Sequence, residues 1–90
     1  MEKYYPVFAE VIESLPKSFD AHDLILALLK KDPITYFAIL REAEERVFQA
    51  NANISNHLKN NGSVYGIHYV GKTVSPDIYQ IDNDCAEFEK

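Results

Sequence analysis

The stretch "NANISNHLKNNG", residues 51–62, decides how the rest of the chain is read. It has the spacing of a helix ended by glycine, but carries asparagines where an exposed helical face usually carries Glu, Lys or Arg. Asparagine is a poor interior helix former, because its amide competes for nearby backbone groups. Packing or function must therefore hold such a helix in place. Ala50, Ile54 and Leu58 recur at i, i+4 and i+8 and predict the buried stripe of a helix over 49–61. At about 100° per residue, Gln49, Ala52, Asn56, Lys59 and Asn60 point the other way, flanked by Asn53, Ser55 and His57. Gly62 fits the left-handed position that closes a helix.

Three helices are predicted upstream. The first runs from Tyr5 to Leu15: Pro6 suits its first turn, and Phe8, Val11, Ile12 and Leu15 follow one buried face. Pro16 ends it. The second starts at Asp20, with Asp23 three residues on as in a capping box and Phe19 and Leu24 at hydrophobic-staple positions. Its apolar run, Leu24 to Leu29, leaves little polar face and predicts a central helix, ended by Lys30 and Lys31 where the helix dipole favours cations. The third begins at Asp32-Pro33, with Tyr36, Phe37, Leu40, Ala43 and Val47 inward and Arg41, Glu42, Glu44, Glu45 and Arg46 solvated. A break near 47–49 separates it from the fourth; one long kinked helix is the alternative.

The remainder reads as β structure. Val64 to Val70 alternates Tyr65, Ile67 and Tyr69 against Val64, His68 and Val70. Residues 71–76 read as a loop, with Ile78 to Ile81 returning as a second strand of a hairpin over 64–82. A two-stranded ribbon is marginal alone, so it must lie on the helices. The acidic tail, 82–90, keeps Cys85, Ala86 and Phe88, so part of it is expected to dock. The fold class expected is α+β, winged helix-like: three to four helices, then a two-stranded β-hairpin, in a single domain over 1–90.

Composition limits the function classes. At 90 residues, 47% hydrophobic and a mean hydropathy of -0.26, the chain has the make-up of one globular domain. Its longest apolar run is six residues, against the roughly 20 needed to span a bilayer. No apolar signal core precedes Pro6, and Cys85 has no partner for an internal disulfide, so the cytoplasm is the expected compartment and no membrane partner is expected. The net charge of -5 argues against a generic nucleic-acid binder. Its distribution is uneven, however. Residues 1–45 hold nine acids and five bases, 77–90 hold five acids and one base, and 46–76 hold no acid, only Arg46, Lys59 and Lys72.

Helices followed by a hairpin are the order of a winged helix, in which the last helix enters the major groove and the hairpin touches the backbone. The segment Ile54-Ser55-Asn56-His57-Leu58-Lys59 resembles the recognition-helix ends of the arsenical-resistance-repressor and multiple-antibiotic-resistance-repressor families. That resemblance implies that Ser55, Asn56 and Lys59 face nucleic acid. The sequence departs from those families in carrying Asn61 where they usually have leucine, in the earlier Gly62, and in lacking an Arg near Asn56. No motif for metal or drug sensing matches. The segments "FDAHDLI" and "SPDIY…CAEFEK" also resemble a set of small bacterial proteins, a likeness that supplies a grouping and no chemistry.

Catalysis is not expected. His22, His57 and His68 are far apart, Cys85 is alone, and there is no i, i+4 His pair or Cys-x-x-Cys, so no metal site or cofactor is predicted. His22 reads as a first-turn residue near a cap and His68 as a strand residue. Cys85 lies between Asp84 and Glu87, which disfavour a thiolate, and Glu44-Glu45 sits on a charged face. Gly62, Gly66 and Gly71 read as hairpin residues, not a phosphate loop. Two functions remain. The leading one is double-stranded DNA binding by a small regulator or accessory factor, through helix 49–61 and the wing, with Arg46, Asn53, Ser55, Asn56, Lys59, Asn60 and Lys72 as contacts. Asn pairs with adenine, and Lys with guanine or phosphate. The alternative is a non-catalytic interaction module that binds another protein or a second copy of itself through acidic surfaces and Tyr4, Tyr5, Tyr65 and Tyr69.

Overall fold

A computed structural model describes all 90 residues, Met1 to Lys90. After a 3-10 turn at Glu2–Tyr4 come α1 (Tyr5–Glu13), β1 (Ser18–Asp20), α2 (Ala21–Lys31) and α3 (Pro33–Glu42). Then follow α4 (Val47–Asn60), α5 (Gly62–Tyr65), β2 (His68–Pro76) and β3 (Asp82–Glu89). The class is α+β, with helices followed by a β-hairpin in winged-helix-like order.

The strongest local signal behaves as expected. Asp20 accepts the Asp23 N–H at 2.8 Å, and the Asp23 carboxylate accepts the Asp20 N–H at 3.0 Å, a complete capping box. Phe19 and Leu24, at the staple positions, are both buried. Asp32 caps α3 through the Thr35 N–H and hydroxyl. α1 stops at Glu13, two residues earlier than the periodicity implied. The centre of the molecule is built from Phe8, Leu24, Ile25, Leu28, Ile39, Ile54, Leu58 and Phe88, all at most 1% exposed.

Four expectations are corrected. First, α3 ends at Glu42, and α4 begins at Val47 rather than 49. The reversal is made by Glu44 and Glu45, both left-handed at φ 57° and 62°. That geometry costs a non-glycine residue roughly 1–2 kcal/mol. It is held by the Glu45 N–H donating to the Leu40 carbonyl at 2.9 Å. Second, the inward residue of α3 is Ile39, 1% exposed, while Phe37 is 55% exposed. Leu40 is only half-buried. Because the chain turns at Ala43, α3 presents the Tyr36–Ile39–Ala43 stripe to α2 and α4.

Third, residues 62–65 are a helical turn and not a strand. Gly62 does not take up a left-handed conformation; Gly66 does, at φ 68°, and closes α5. Gly62 serves close approach instead: a Cβ there would lie 2.6 Å from the Ile67 carbonyl oxygen. Ile67 then packs inward ahead of the strand. Fourth, the hairpin is shifted along the sequence. Residues 71–76 belong to β2, residues 77–81 form the turn, and the expected tail is β3.

β3 is the middle strand of an antiparallel sheet ordered β1-β3-β2. Its register pairs Phe88 with Phe19 on one side and with Tyr69 on the other. The Phe19 and Phe88 rings stack at 5.7 Å. A bulge between Tyr69 and Gly71 bends β2, with Gly71 at φ 139°. Docking of Cys85 and Phe88 holds, since Phe88 is fully buried and Cys85 partly so, but they dock as a core strand.

Candidate functional site: the exposed face of α4

α4 is 14 residues long, about 21 Å at 1.5 Å per residue. It rests on Ala50, Ile54, His57 and Leu58 and carries no acid. Its outer side separates the expected contact residues into four places. Ser55 and Lys59 line a groove between α4 and the sheet, facing Lys72 and Tyr69 of β2 and Asp84 and Cys85 of β3. The Lys59 ammonium lies 4.9 Å from the centre of the Tyr69 ring, a cation–π contact across the groove. Asn53 and Asn60 lie on the opposite flank, beside Met1, Glu42 and Asn61. Asn56 lines depressions on both flanks and so stands on the crest. Arg46 precedes the first turn of α4, about 20 Å from Lys59 along the axis. Lys59 and Lys72 therefore share a face with Ser55, and Arg46 stands apart.

The groove continues toward the start of α4 as a pocket of about 240 Å³ lined by His22, Phe48, Asn51, Ser55, Asn56 and Asp77, among others. Asp77 organises the hairpin turn. Its Oδ1 accepts the Tyr79 and Ile81 N–H groups at 2.8 and 3.2 Å, and its Oδ2 accepts the Asn83 amide at 2.7 Å. Burial opposes the charge on Asp77, but these donors prevail and hold its pKa below the usual carboxylate value. The turn thus places a fixed negative charge beside the polar pocket. Glu42, at the end of α3, accepts the Tyr4 hydroxyl and pairs with Lys3; these contacts hold its carboxyl below its ordinary pKa.

His57, which the resemblance placed in the recognition segment, is a core residue. It packs against the rings of Tyr5, Phe8 and Tyr65 at 5.1, 5.3 and 5.7 Å. The Asn61 amide donates to its Nδ1 at 3.2 Å, and its Nε2 meets the Tyr65 hydroxyl at 2.7 Å. The Tyr5 hydroxyl donates to Asn61 in turn. A neutral ring satisfies this arrangement, with Nδ1 accepting and Nε2–H donating. Burial lowers the His57 pKa from its ordinary 6.5. Below about pH 6.5, the unfolded chain therefore takes up a proton that the folded chain refuses, and stability falls with pH until the folded pKa is reached. Thermal melts between about pH 7.5 and 5.5 should show this loss. His57→Gln should flatten the dependence.

Spacing along the chain also hid one cluster. Asp20, His22 and Cys85 bring a carboxylate oxygen, a ring nitrogen and the thiol within 4.8 Å of one another. Only the pairing of β1 with β3 brings 20 and 85 together. Comparison of the chain with family models, curated proteins and solved structures found no match.

Proposed function

We propose that this domain binds double-stranded DNA through α4, with the hairpin alongside, as a small regulator or accessory factor. The observation that carries the reading is the outer face of α4, free of acids over its whole length, with Asn56 on its crest and Lys59 and Lys72 together on one flank. A helix laid in the major groove meets base edges at its crest and phosphates at its flanks. Asn56 is thus the base-reading group, and Lys59 and Lys72 are phosphate contacts. The contact from the hairpin comes from the middle of β2, because the turn itself carries Asp77 and is followed by Asp82 and Asp84. These acids, with the net charge of -5, weaken the binding, and the few cations make its salt dependence shallow.

A second reading, a protein-binding module, is favoured by one specific observation. Phe48 and Tyr79 are 68% and 53% exposed, yet their rings meet at 6.1 Å, and Phe48 also lines the polar pocket. Gel-shift titration against mixed duplex fragments separates the two. With two or three phosphates neutralised, log K should fall with log salt at a slope of about -2 to -3. Lys59→Ala should weaken binding to every sequence and flatten the slope by about one unit. Asn56→Ala should cost about 1–3 kcal/mol at a single base pair and leave the slope unchanged. No shifted band at about 50 mM salt and tens of micromolar protein would sink the DNA reading and leave the protein-binding one.

A further inference from the structure

The register of the sheet explains how the mixed cluster at its centre arises. Asp20 lies opposite Glu87, and Cys85 is two residues before Glu87, on the same side of β3. Thr73 lies opposite Cys85, and Ser75 is two residues further along β2. Asp20, Cys85 and Ser75 therefore run diagonally across all three strands on one side. The first turn of α2 follows β1 directly and brings His22 against the end of this row. The Ser75 hydroxyl sits 2.8 Å from His22 Nδ1 and 3.5 Å from the Cys85 sulfur, and holds ring and thiol toward one another.

Each donor has capacity to spare. Asp20 uses Oδ1 for the helix cap and leaves Oδ2 without a partner in the chain. His22 is 8% exposed, and only its Nδ1 is hydrogen-bonded within the chain. The Cys85 thiol is partly buried and free of any disulfide. Carboxylate, imidazole and thiol together form an oxygen, nitrogen and sulfur donor set, which suits a borderline-soft divalent ion and not calcium or magnesium.

We propose that Asp20, His22 and Cys85 form a binding site for a zinc-like divalent transition ion. Zinc takes sulfur at about 2.3 Å and nitrogen or oxygen at about 2.0–2.2 Å, so tetrahedral ligands lie roughly 3.3–3.5 Å apart. Donors already within 4.8 Å reach that spacing by side-chain movements of about 1 Å. Three protein ligands leave the fourth position to water, and His22 also lines the 240 Å³ pocket beside the site. Binding replaces the thiol proton with the metal and releases that proton to solvent. Because that proton must leave, metal uptake weakens as pH falls.

The test uses the full chain and Co²⁺ as the probe. One equivalent should give a thiolate-to-cobalt charge-transfer band in the near ultraviolet, with visible d–d bands of tetrahedral intensity, and Zn²⁺ should displace both. Cys85→Ser should abolish the charge-transfer band. Asp20→Asn keeps a residue that caps helices well, so the fold is retained. It and His22→Gln should each weaken Co²⁺ binding by more than about tenfold, the smallest effect usual even for groups behind the ligands. Absence of the band in the unaltered chain overturns the site. So does a band that persists with unchanged affinity in Asp20→Asn and His22→Gln, because Cys85 would then be binding cobalt alone.

Discussion

A chain ending at Ile81, without residues 82–90, should show no cooperative unfolding transition. The loss is not that of a docked tail. β1 and β2 do not pair with each other; each pairs only with β3. Removing the middle strand therefore removes every ladder hydrogen bond of the sheet and exposes the edges of both partners. It also strips Phe88 and Ala86 from the core and unstacks Phe19. A domain of 90 residues has a total stability on the order of 5–14 kcal/mol. Phe88→Ala alone should cost about 3–5 kcal/mol, so losing the whole strand exceeds what the helices can hold. Circular dichroism against urea checks both: Phe88→Ala should keep a sharp transition at lower urea, and the truncated chain should lose it. A truncated chain that unfolds as sharply as the full one, at the same midpoint, would show that the helices fold without the sheet.

The second large effect concerns which residues of α2 and α3 carry the core. Leu28 is fully buried and Ile39 is 1% exposed, whereas Phe37 is 55% exposed. Leu28→Ala and Ile39→Ala should each cost on the order of 2–5 kcal/mol, set by how far the site collapses around the missing atoms. Phe37→Ala should change stability by about 0.5 kcal/mol or less, as surface positions usually do. The ordering is the sharp part, because aromatic size alone predicts the reverse for 37 and 39. Urea midpoints of the three variants decide it. A Phe37→Ala midpoint as low as that of Ile39→Ala would turn α3 by about 160–200° relative to its neighbours.

Much of the helical half was legible because its signals are local. The Asp20–Asp23 box, the Asp32-Pro33 start and the Ala50–Ile54–Leu58 stripe each act within one or two turns of their own helix, and all three hold. The turn at Glu44 and Glu45 was illegible, since left-handed geometry usually announces itself as Gly or Asn and here falls on two acids. The hairpin was misplaced for a related reason. Alternation over 64–70 is the same whether its first residues form a strand or a turn closed by Gly66. β3 was hidden by composition: its acids read as a solvated tail, although Ala86 and Phe88 alternate correctly for a strand buried on one face.

Periodicity and local capping along the chain set the α+β class, the Asp20 and Asp32 caps, the central helix and the acid-free outer face of α4. These depend on periodicity and on charges that stay exposed in any packing. Tertiary structure decided what meets what. It set Lys72 opposite Lys59, moved Arg46 away from both, and turned His57 inward among aromatic rings. It also brought Asp20, His22 and Cys85 within 4.8 Å. Strand pairing has no local signature when the partners are 67 to 71 residues apart, because register is fixed by which side chains fill the core and not by any motif along the chain.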